Sequence, residues 1–331
     1  MAEAIVELRD IRVLFPVRSG NLLPGRPQKV VTAVDGVSFQ VFSGEILAMV
    51  GESGCGKTTI GKTILRLIEP TQGEIWFRGE DITRVKKEQL RKLRSKIQVI
   101  YQDPYESLDP RQSIFDILAE PLMIFSPEIS RSEMESRVIS ALEATGLLPA
   151  REIAERYPHH LSGGQRQRVA IAASLILEPD FLVTDEPVSM LDVSIRAEIL
   201  KLMLDLREKK GLTYLFITHD LSLAWMISDR ILVLYLGKIV EIGDAHSVIH
   251  DAKHPYTRAL VSVIPLPQPK HDRQQIILEG ETPSPIDIPP GCRFKPRCWL
   301  WKELNQPEIC SQLEPGLKGN GSSEHSYACH F

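Results

Sequence analysis

A glycine-rich loop between a predicted strand and a predicted helix constrains this chain more than any other feature. Residues 46–60 read ILAMVGESGCGKTTI. The apolar run at 46–50 predicts a buried strand, and the apolar positions after residue 59 recur with helical spacing. A chance glycine turn is the alternative, but a strand, a G-x-x-x-x-G-K-T loop and a helix in this order are the setting of a phosphate-binding loop. We therefore predict that the chain binds a nucleoside triphosphate.

Each residue type in this loop has a chemical reason to be there. Glycines let the backbone curve so that N–H groups point at an anion, and the helix N-terminus adds a partial positive charge. Lys57 can reach the β- and γ-phosphates, and the Thr58 hydroxyl can bind Mg²⁺. The predicted nucleotide-binding residues of the loop are Gly51, Ser53, Gly54, Cys55, Gly56, Lys57, Thr58 and Thr59.

Length and charge limit the class of protein. The chain has 331 residues, so we expect a large domain and a smaller one. Its net charge of −4 gives no overall basic field for nucleic acid or anionic lipid. No apolar run approaches ~18 residues, and the first ten residues lack the layout of a signal peptide. We expect a cytosolic protein that could dock on a membrane protein.

The flanking segments predict strands before the loop and helices after it. Residues 5–15 predict a strand pair or a bent strand, and residues 16–29 a loop rich in Pro, Gly and Arg. Phe15 could stack on an adenine ring, although core packing is the favoured explanation on spacing alone. Helices are predicted at 113–124 and 130–145, in an all-helical insert that suggests a partner-facing surface.

A second glycine-rich helix start follows the insert. Ser162 is a good N-cap, but Gly163 and Gly164 in a first helical turn are locally unfavourable. They make sense where bare N–H groups approach an anion closely, and an ordinary glycine turn is the alternative. Since the first loop already supplies a phosphate cradle, we predict that each serves a different nucleotide, shared between two protomers.

Polar residues end three predicted strands. In the strand at 181–187, Asp185 can hold Mg²⁺ through its waters, and Glu186 can deprotonate the attacking water. Gln102 ends the strand at 97–102, where it could reach a metal or a water. His219, in the strand at 214–220, would lie at the ligand side of an open α/β sheet.

The last part of the chain has a different character. From about residue 265 it contains many prolines, which exclude long helices, so loops and short strands are expected. Its four cysteines are Cys292, Cys298, Cys310 and Cys329. Their clustering favours a metal site, with His325 and His330 as substitute ligands, but their spacing fits no common zinc or ferredoxin pattern. Free thiols or one disulfide remain the alternatives.

Six motifs taken together resemble those of one family. They are GESGCGKTT (51–59), YQDP (101–104), LSGGQ (161–165), FLVTDEP (181–187), SMLD (189–192) and THD (218–220). In this order they resemble the motifs of ABC-transporter ATP-binding subunits, and an ordered set is far more specific than any single motif.

Longer segments narrow the resemblance to one subgroup. The segments QDPYESLDPR, HPYTRAL and SPIDIPPGCRFKPRC are similar to those of oligopeptide/dipeptide-importer ATPases. The loop at 16–29 and the end of the chain resemble the second of the two paired ATPase subunits. The resemblance implies an α/β P-loop core with an antiparallel β subdomain, an inserted helical subdomain and a small irregular C-terminal extension. The implied division is an ATP-binding domain at 1–264, with its helical insert at about 103–160, and an extension at 265–331.

The same resemblance assigns roles to the residues outside the phosphate loop. It implies that Glu186 is the catalytic base, His219 the γ-phosphate sensor and Gln102 a contact to Mg²⁺ and to the membrane partner. The remaining nucleotide-binding positions that it implies are Phe15, Asp185, Ser162, Gly163, Gly164, Gln165 and Asp192. Two residues depart from the family pattern: Met190 replaces the usual alanine of S-A-L-D, and Ala173 replaces an arginine common in the helix after LSGGQ. Neither change removes a catalytic group, but both could alter dimer contacts or coupling.

The implied partners are a second ATPase subunit in a heterodimer, two transmembrane permease subunits and, indirectly, an extracellular solute-binding protein. The expected location is the cytoplasmic face of the membrane, with ATP and Mg²⁺ as cofactors. Similar importer ATPases carry a four-cysteine 4Fe-4S cluster in this extension, and GCRFKPRC resembles its first half, with zinc or unbound thiols as alternatives.

Peptide, oligosaccharide and nickel importers all use such subunits. A soluble ABC ATPase acting on nucleic acid is disfavoured, because the chain lacks a duplicated cassette and a basic arm, and an exporter because it lacks a fused membrane domain.

Overall fold

The computed structural model describes residues 3–17, 29–264, 274–319 and 325–331. The chain forms two compact units, one made of Met1–Arg84 and Ile217–Phe331, the other of Val85–Phe216. The predicted domain boundary after residue 264 stays a prediction. Residues 18–28 of the predicted loop and residues 265–273 at the start of the predicted extension lie outside the described residues.

The described strands are β1 (Ala4–Pro16), β2 (Val30–Phe42), β3 (Ile46–Val50), β4 (Gln72–Phe77), β5 (Glu80–Asp81), β6 (Ile97–Ile100), β7 (Phe181–Asp185), β8 (Thr213–Thr218), β9 (Arg230–Tyr235), β10 (Lys238–Asp244) and β11 (Ser326–Tyr327). The described α-helices are α1 (Lys57–Ile64), α2 (Lys87–Lys96), α3 (Pro104–Ser107), α4 (Ile114–Phe125), α5 (Arg131–Ala144), α6 (Ala150–Ala154), α7 (Gly163–Leu175), α8 (Val193–Lys210), α9 (Leu221–Ile227), α10 (Ala245–His250), α11 (Pro255–Ser262), α12 (Trp299–Glu303) and α13 (Ile309–Gln312).

An antiparallel sheet in the first unit has the strand order β2-β1-β4-β5. The segment predicted as a strand pair or a bent strand is the single strand β1, whose pairing with β2 shifts register at several points. Such irregularities bend a strand. The antiparallel β subdomain is therefore present as predicted.

The phosphate loop follows β3, which lies in the same unit beside β9, in the strand order β11-β10-β9-β3. β3 runs parallel to β9, and Leu47 to Val50 pair with Arg230 to Val233. All five residues of β3 are buried, which explains why this strand reads as a continuous apolar run. The loop that follows β3 therefore starts from the interior of the unit.

The second unit contains the helical insert between β6 and β7. β6 and β7 are parallel, and β7 lies between β6 and β8. Ser113 caps α4 with a reciprocal bond to Asp116, and Ser130 caps α5 by accepting from the Glu133 N–H. The buried side chains of the insert, among them Leu118, form one apolar cluster. These helices confirm the predicted segments to within one residue at each end.

The C-terminal extension differs from the prediction of loops and short strands. It contains the short helices α12 and α13 and the two-residue strand β11, which pairs with β10. Proline excludes long helices, but one turn needs few backbone bonds, and Cys298 Sγ caps α12 by accepting from the Trp301 N–H at 3.3 Å. The prediction of loops and short strands was therefore incomplete, because it left out these two short helices.

Candidate nucleotide-binding site

The glycine-rich loop after β3 is tightly curved. Gly54 and Gly56 have φ values of 78° and 110°, in a region that residues other than glycine rarely adopt. Gly56 also lies close to β2, since a Cβ there would be 2.4 Å from the carbonyl oxygen of Ala33. Only glycine fits this position without displacing the backbone.

Lys57, the first residue of α1, spans the loop. Its side chain is buried, and its Nζ donates to the carbonyl oxygens of Gly51 at 2.7 Å and Glu52 at 3.0 Å. The ammonium group is therefore held against the loop backbone. A cation fixed beside curved backbone and a helix N-terminus is suited to binding phosphate.

The other predicted loop residues differ in exposure. Ser53 and Thr58 are exposed and Thr59 is half-buried, so their hydroxyl groups are near the surface. Cys55 is buried, and its burial raises the pKa of the thiol. The Cys55 N–H donates to the carbonyl of Glu52 at 3.3 Å. The Cys55 Sγ accepts a long hydrogen bond from Lys57 Nζ at 3.9 Å, so its buried side chain lies against the lysine of the loop.

Phe15 and His219 belong to the same unit as the loop. Phe15 lies on β1 opposite Val31 and keeps 38% of its surface exposed, which an aromatic ring available for stacking requires. His219 directly follows β8 and is exposed. The next residue, Asp220, caps α9 by accepting from the N–H groups of Ser222 and Leu223. The roles of Phe15 in adenine stacking and of His219 in γ-phosphate sensing stay predictions.

Gln102 and Glu186, both in the second unit, are in direct contact. Gln102 Nε2 donates to Glu186 Oε2 at 3.2 Å. Glu186 has a φ of 49°, the left-handed region that costs a non-glycine residue about 1–3 kcal/mol. The Ser189 N–H and hydroxyl both donate to the Glu186 carbonyl oxygen, which holds this backbone in place. The sequence indicated both side chains, but it carried no signal for their contact.

Asp185 is the last residue of β7 and is half-buried. Glu186 directly follows it, so the two predicted carboxylates lie together at this strand end, one on the last residue of β7 and one just beyond it. A carboxylate at a strand end has the oxygen ligands that Mg²⁺ prefers. Its assignment to Mg²⁺, like those of Thr58 and Gln102, stays a prediction.

The second glycine-rich helix start is a capping box. Ser162 Oγ accepts from the Gln165 N–H at 3.3 Å, and Gln165 Oε1 accepts from the Ser162 N–H at 3.0 Å. A Cβ at Gly164 would be 2.8 Å from Ile195 Cγ2 of α8, whereas one at Gly163 would be in ordinary contact with Leu191. Close packing against α8 is therefore one reason for a glycine at position 164. The close approach of an anion, the reason predicted from the sequence, stays a prediction.

Asp192 and the unusual Met190 follow β7. Asp192 is the exposed N-cap residue of α8 and makes no side-chain capping bond. Met190 is 58% exposed. Both side chains are thus on the surface of the second unit, and their predicted roles at a dimer contact stay predictions.

The four cysteines of the extension line one small cavity of about 20 Å³. A cavity of this size holds about one water molecule, far less than an iron–sulfur cluster needs. Burial raises the pKa of Cys292 to about 12 and that of Cys298 to about 11, because desolvation disfavours the charged thiolate. Among the described residues, no group of three or more His, Cys, Asp or Glu side chains is arranged to hold a metal ion. The predicted 4Fe-4S cluster is therefore not supported.

Two family models match the chain. The model described as ABC transporter matches residues 34–189. The model described as oligopeptide/dipeptide transporter, C-terminal region, matches residues 240–303.

Similarity extends over nearly the whole chain. The oligopeptide transport ATP-binding protein OppF of Salmonella typhimurium is 44% identical over 99% of this chain and 96% of its own length. The chain belongs to the ATP-binding subunits of ABC transporters. The dipeptide transport ATP-binding protein DppF of Haemophilus influenzae is 47% identical over 90% of each chain.

A solved structure supports the fold of this ABC subunit. The dimeric, post-hydrolysis structure of the ATP-binding cassette MJ0796, bound to ADP and Pi, matches with a TM-score of 0.63 and 27% identity. The match covers 72% of this chain and 98% of that one. The predicted family and α/β P-loop fold class are confirmed.

The activity of this ABC subunit is ATP hydrolysis, with membrane permease subunits as partners. Within the described part of the chain, none of the helices is both long enough and apolar enough to cross a bilayer.

Proposed function

We propose that this chain is the ATP-hydrolysing motor subunit of an ABC importer for oligopeptides or dipeptides. The observation that carries the proposal is similarity over nearly the full length to relatives named for oligopeptide and dipeptide transport. It includes residues 240–303, which match a C-terminal region named for the same transporters. The similarity thus extends beyond the part of the chain that all ABC ATPases share.

The residues of the first unit bind the nucleotide in this proposal. Lys57 and the loop N–H groups hold the β- and γ-phosphates, and Thr58 binds Mg²⁺. Phe15 stacks on the adenine, and His219 contacts the γ-phosphate. The buried, doubly hydrogen-bonded ammonium group of Lys57 supports the first assignment, because its position is fixed before the nucleotide arrives.

The residues of the second unit act on the attacking water and on the neighbouring subunit. Glu186 serves as the general base, oriented by the hydrogen bond from Gln102, while Asp185 binds Mg²⁺. Ser162 and Gly164 contact the γ-phosphate bound by the partner ATPase. Because Gln102 also contacts Glu186, a permease subunit that displaces Gln102 would alter the base directly.

The complex in this proposal contains a second, different ATPase subunit and two permease subunits, at the cytoplasmic face of the membrane. ATP binding closes the two ATPase subunits, and hydrolysis reopens them, so that the permeases alternate between two states. A solute-binding protein outside the cell supplies the peptide. Oligosaccharide and nickel importers are the alternative assignments.

The test is transport by the reconstituted complex. The chain would be co-purified with its permease and ATPase partners in proteoliposomes, and ATP hydrolysis measured with a dipeptide, a tetrapeptide, an oligosaccharide and Ni²⁺, each with the binding protein. We expect stimulation and uptake with a peptide only, and neither in a complex that carries Lys57→Ala. Stimulation by nickel or by the oligosaccharide, with none by peptides, would reject the peptide assignment and leave the ATPase assignment intact.

A further inference from the structure

The C-terminal extension makes a direct ionic contact with the phosphate loop. Arg297 Nη1 donates to both carboxylate oxygens of Glu52, at 3.0 and 2.8 Å. Glu52 is the second residue of the loop, and the two residues are 245 positions apart in the chain. We propose that Arg297 is a positioning residue of the ATP site, which holds the phosphate loop in its nucleotide-binding conformation.

The contact is shielded from water and has a third member. The side chains of Arg297 and Glu52 are 10% and 29% exposed. Thr282, also in the extension, accepts from Arg297 Nη1 at 3.1 Å and donates its own hydroxyl to Glu52. An arginine and a hydroxyl that converge on one partly buried carboxylate fix its position far more strictly than an exposed ion pair would.

Glu52 passes this constraint to the residue that contacts phosphate. Its N–H donates to the Tyr256 hydroxyl at 3.1 Å, and its carbonyl oxygen accepts from Lys57 Nζ at 3.0 Å. The side chain of Glu52 is thus held by the extension, its N–H by α11, and its carbonyl in turn holds the phosphate-binding lysine. Movement of Glu52 would therefore displace both the loop backbone and the ammonium group of Lys57.

A second arginine shows that the extension is anchored independently of the loop. Arg293 Nη1 donates to the Leu236 carbonyl at 2.7 Å, and the same side chain pairs with Asp35 and Glu314. The extension therefore stays attached when Arg297 is replaced. Loss of the Arg297 contact removes the constraint on Glu52 without releasing the whole segment.

The test compares nucleotide binding by Arg297→Met and Arg297→Lys in the full-length protein, with a fluorescent ATP analogue as the probe. Lys302→Met is the matched control, because Lys302 is an exposed extension residue whose ion pair is with Glu279, another exposed residue of the extension. We expect Arg297→Met to raise Kd about tenfold, within the usual range of coupling between sites. Arg297→Lys keeps one charged donor and should recover part of this loss, while Lys302→Met should leave Kd unchanged.

Steady-state hydrolysis by the complex with the partner subunits separates positioning from simple loss of structure. The proposal predicts that Arg297→Met raises KM for ATP about as much as Kd and changes kcat at saturating ATP by less than about twofold, since ground and transition states lose the same contact. Glu52→Gln should show the same shift, and the double variant no additional one. If Arg297→Met proves unstable, Thr282→Val, which removes only the hydroxyl, serves as the milder variant. A Kd for Arg297→Met within twofold of the wild type, or an equal change in Lys302→Met, would overturn the proposal.

Discussion

Replacing Gly56 by alanine should destabilise the phosphate loop through backbone strain and steric overlap. Gly56 has φ 110° and ψ 0°, well outside the conformations that alanine prefers. Its new Cβ would lie 2.4 Å from the Ala33 carbonyl oxygen and 3.5 Å from Leu234 Cδ2. The overlap is with main-chain atoms of β2, which cannot turn aside as a flexible side chain could.

The size of the effect follows from three contributions. A left-handed conformation costs a non-glycine residue about 1–2 kcal/mol. Overpacking adds about 1–3 kcal/mol. Alanine recovers about 0.4–1 kcal/mol, because it has less conformational freedom than glycine in the unfolded chain. We therefore expect Gly56→Ala to lower the free energy of unfolding by about 3 kcal/mol.

Gly54→Ala is the matched control in the same loop. Gly54 also has a positive φ, 78°, but a Cβ there meets no atom within 4 Å. Only the conformational cost applies, so the expected loss is about 1 kcal/mol. Urea unfolding of the three proteins measures both values, and binding of a fluorescent ATP analogue shows whether the loop still holds nucleotide.

The difference of about 2 kcal/mol between the two variants is the quantity that tests the reasoning, because it isolates the contact with β2. ATP binding should be lost in Gly56→Ala and largely kept in Gly54→Ala. Equal losses of stability in both variants, or full ATP binding by Gly56→Ala, would show that the loop does not pack on Ala33 as described.

Two further predictions concern a helix cap and a buried histidine. Ser162→Ala removes the acceptor for the Gln165 N–H and should lower the free energy of unfolding by about 1 kcal/mol, whereas Ser162→Asn should restore most of it in the same urea titration. Burial lowers the pKa of His254 from its ordinary 6.5 to about 4, so the unfolded chain takes up the proton first and stability falls as the pH drops from 6.5 to 4, by up to about 3 kcal/mol. His254→Asn keeps an acceptor for the Tyr256 N–H but has no group that titrates between pH 4 and 6.5. Its unfolding free energy should therefore fall by about 3 kcal/mol less than that of the wild type over this pH range. An unchanged pH dependence would contradict the low pKa of His254.

Most of the fold could be predicted because local signals agreed with one another. The apolar run of β3, the glycine loop and α1 follow in an order that few other structures use. The helices predicted from residues 113 and 130 start within one residue of α4 and α5, which Ser113 and Ser130 cap in the structure. Such signals depend on neighbouring residues in the chain, which the sequence shows directly.

The errors at strand ends have local causes that the sequence does not show. The strand predicted at 181–187 ends at Asp185, because Glu186 takes a left-handed conformation that cannot continue a strand. The strand predicted at 97–102 ends at Ile100, so Gln102 lies in a loop, from which it reaches Glu186. Both departures occur at predicted functional residues, and the one at Glu186 involves a strained backbone, which is often retained at such sites.

Contacts between distant parts of the chain were beyond sequence reasoning. Nothing in the spacing of Glu52 and Arg297 indicates that they form an ion pair, since charged residues are common on any surface. At the four cysteines the error runs the other way, because the sequence indicated a site that the structure does not support. Clustering in the sequence suggested a metal site, but clustered thiols become ligands only when their Sγ atoms converge around a sufficiently large space.

The most direct test of the account is ATP hydrolysis and ATP binding by Glu186→Gln in the assembled complex. Glutamine keeps an oxygen that can accept from Gln102 Nε2 but cannot take a proton from water. We expect unchanged ATP affinity with hydrolysis reduced by about 10²–10⁴-fold, the usual contribution of a general base. Hydrolysis at the wild-type rate by Glu186→Gln would contradict it.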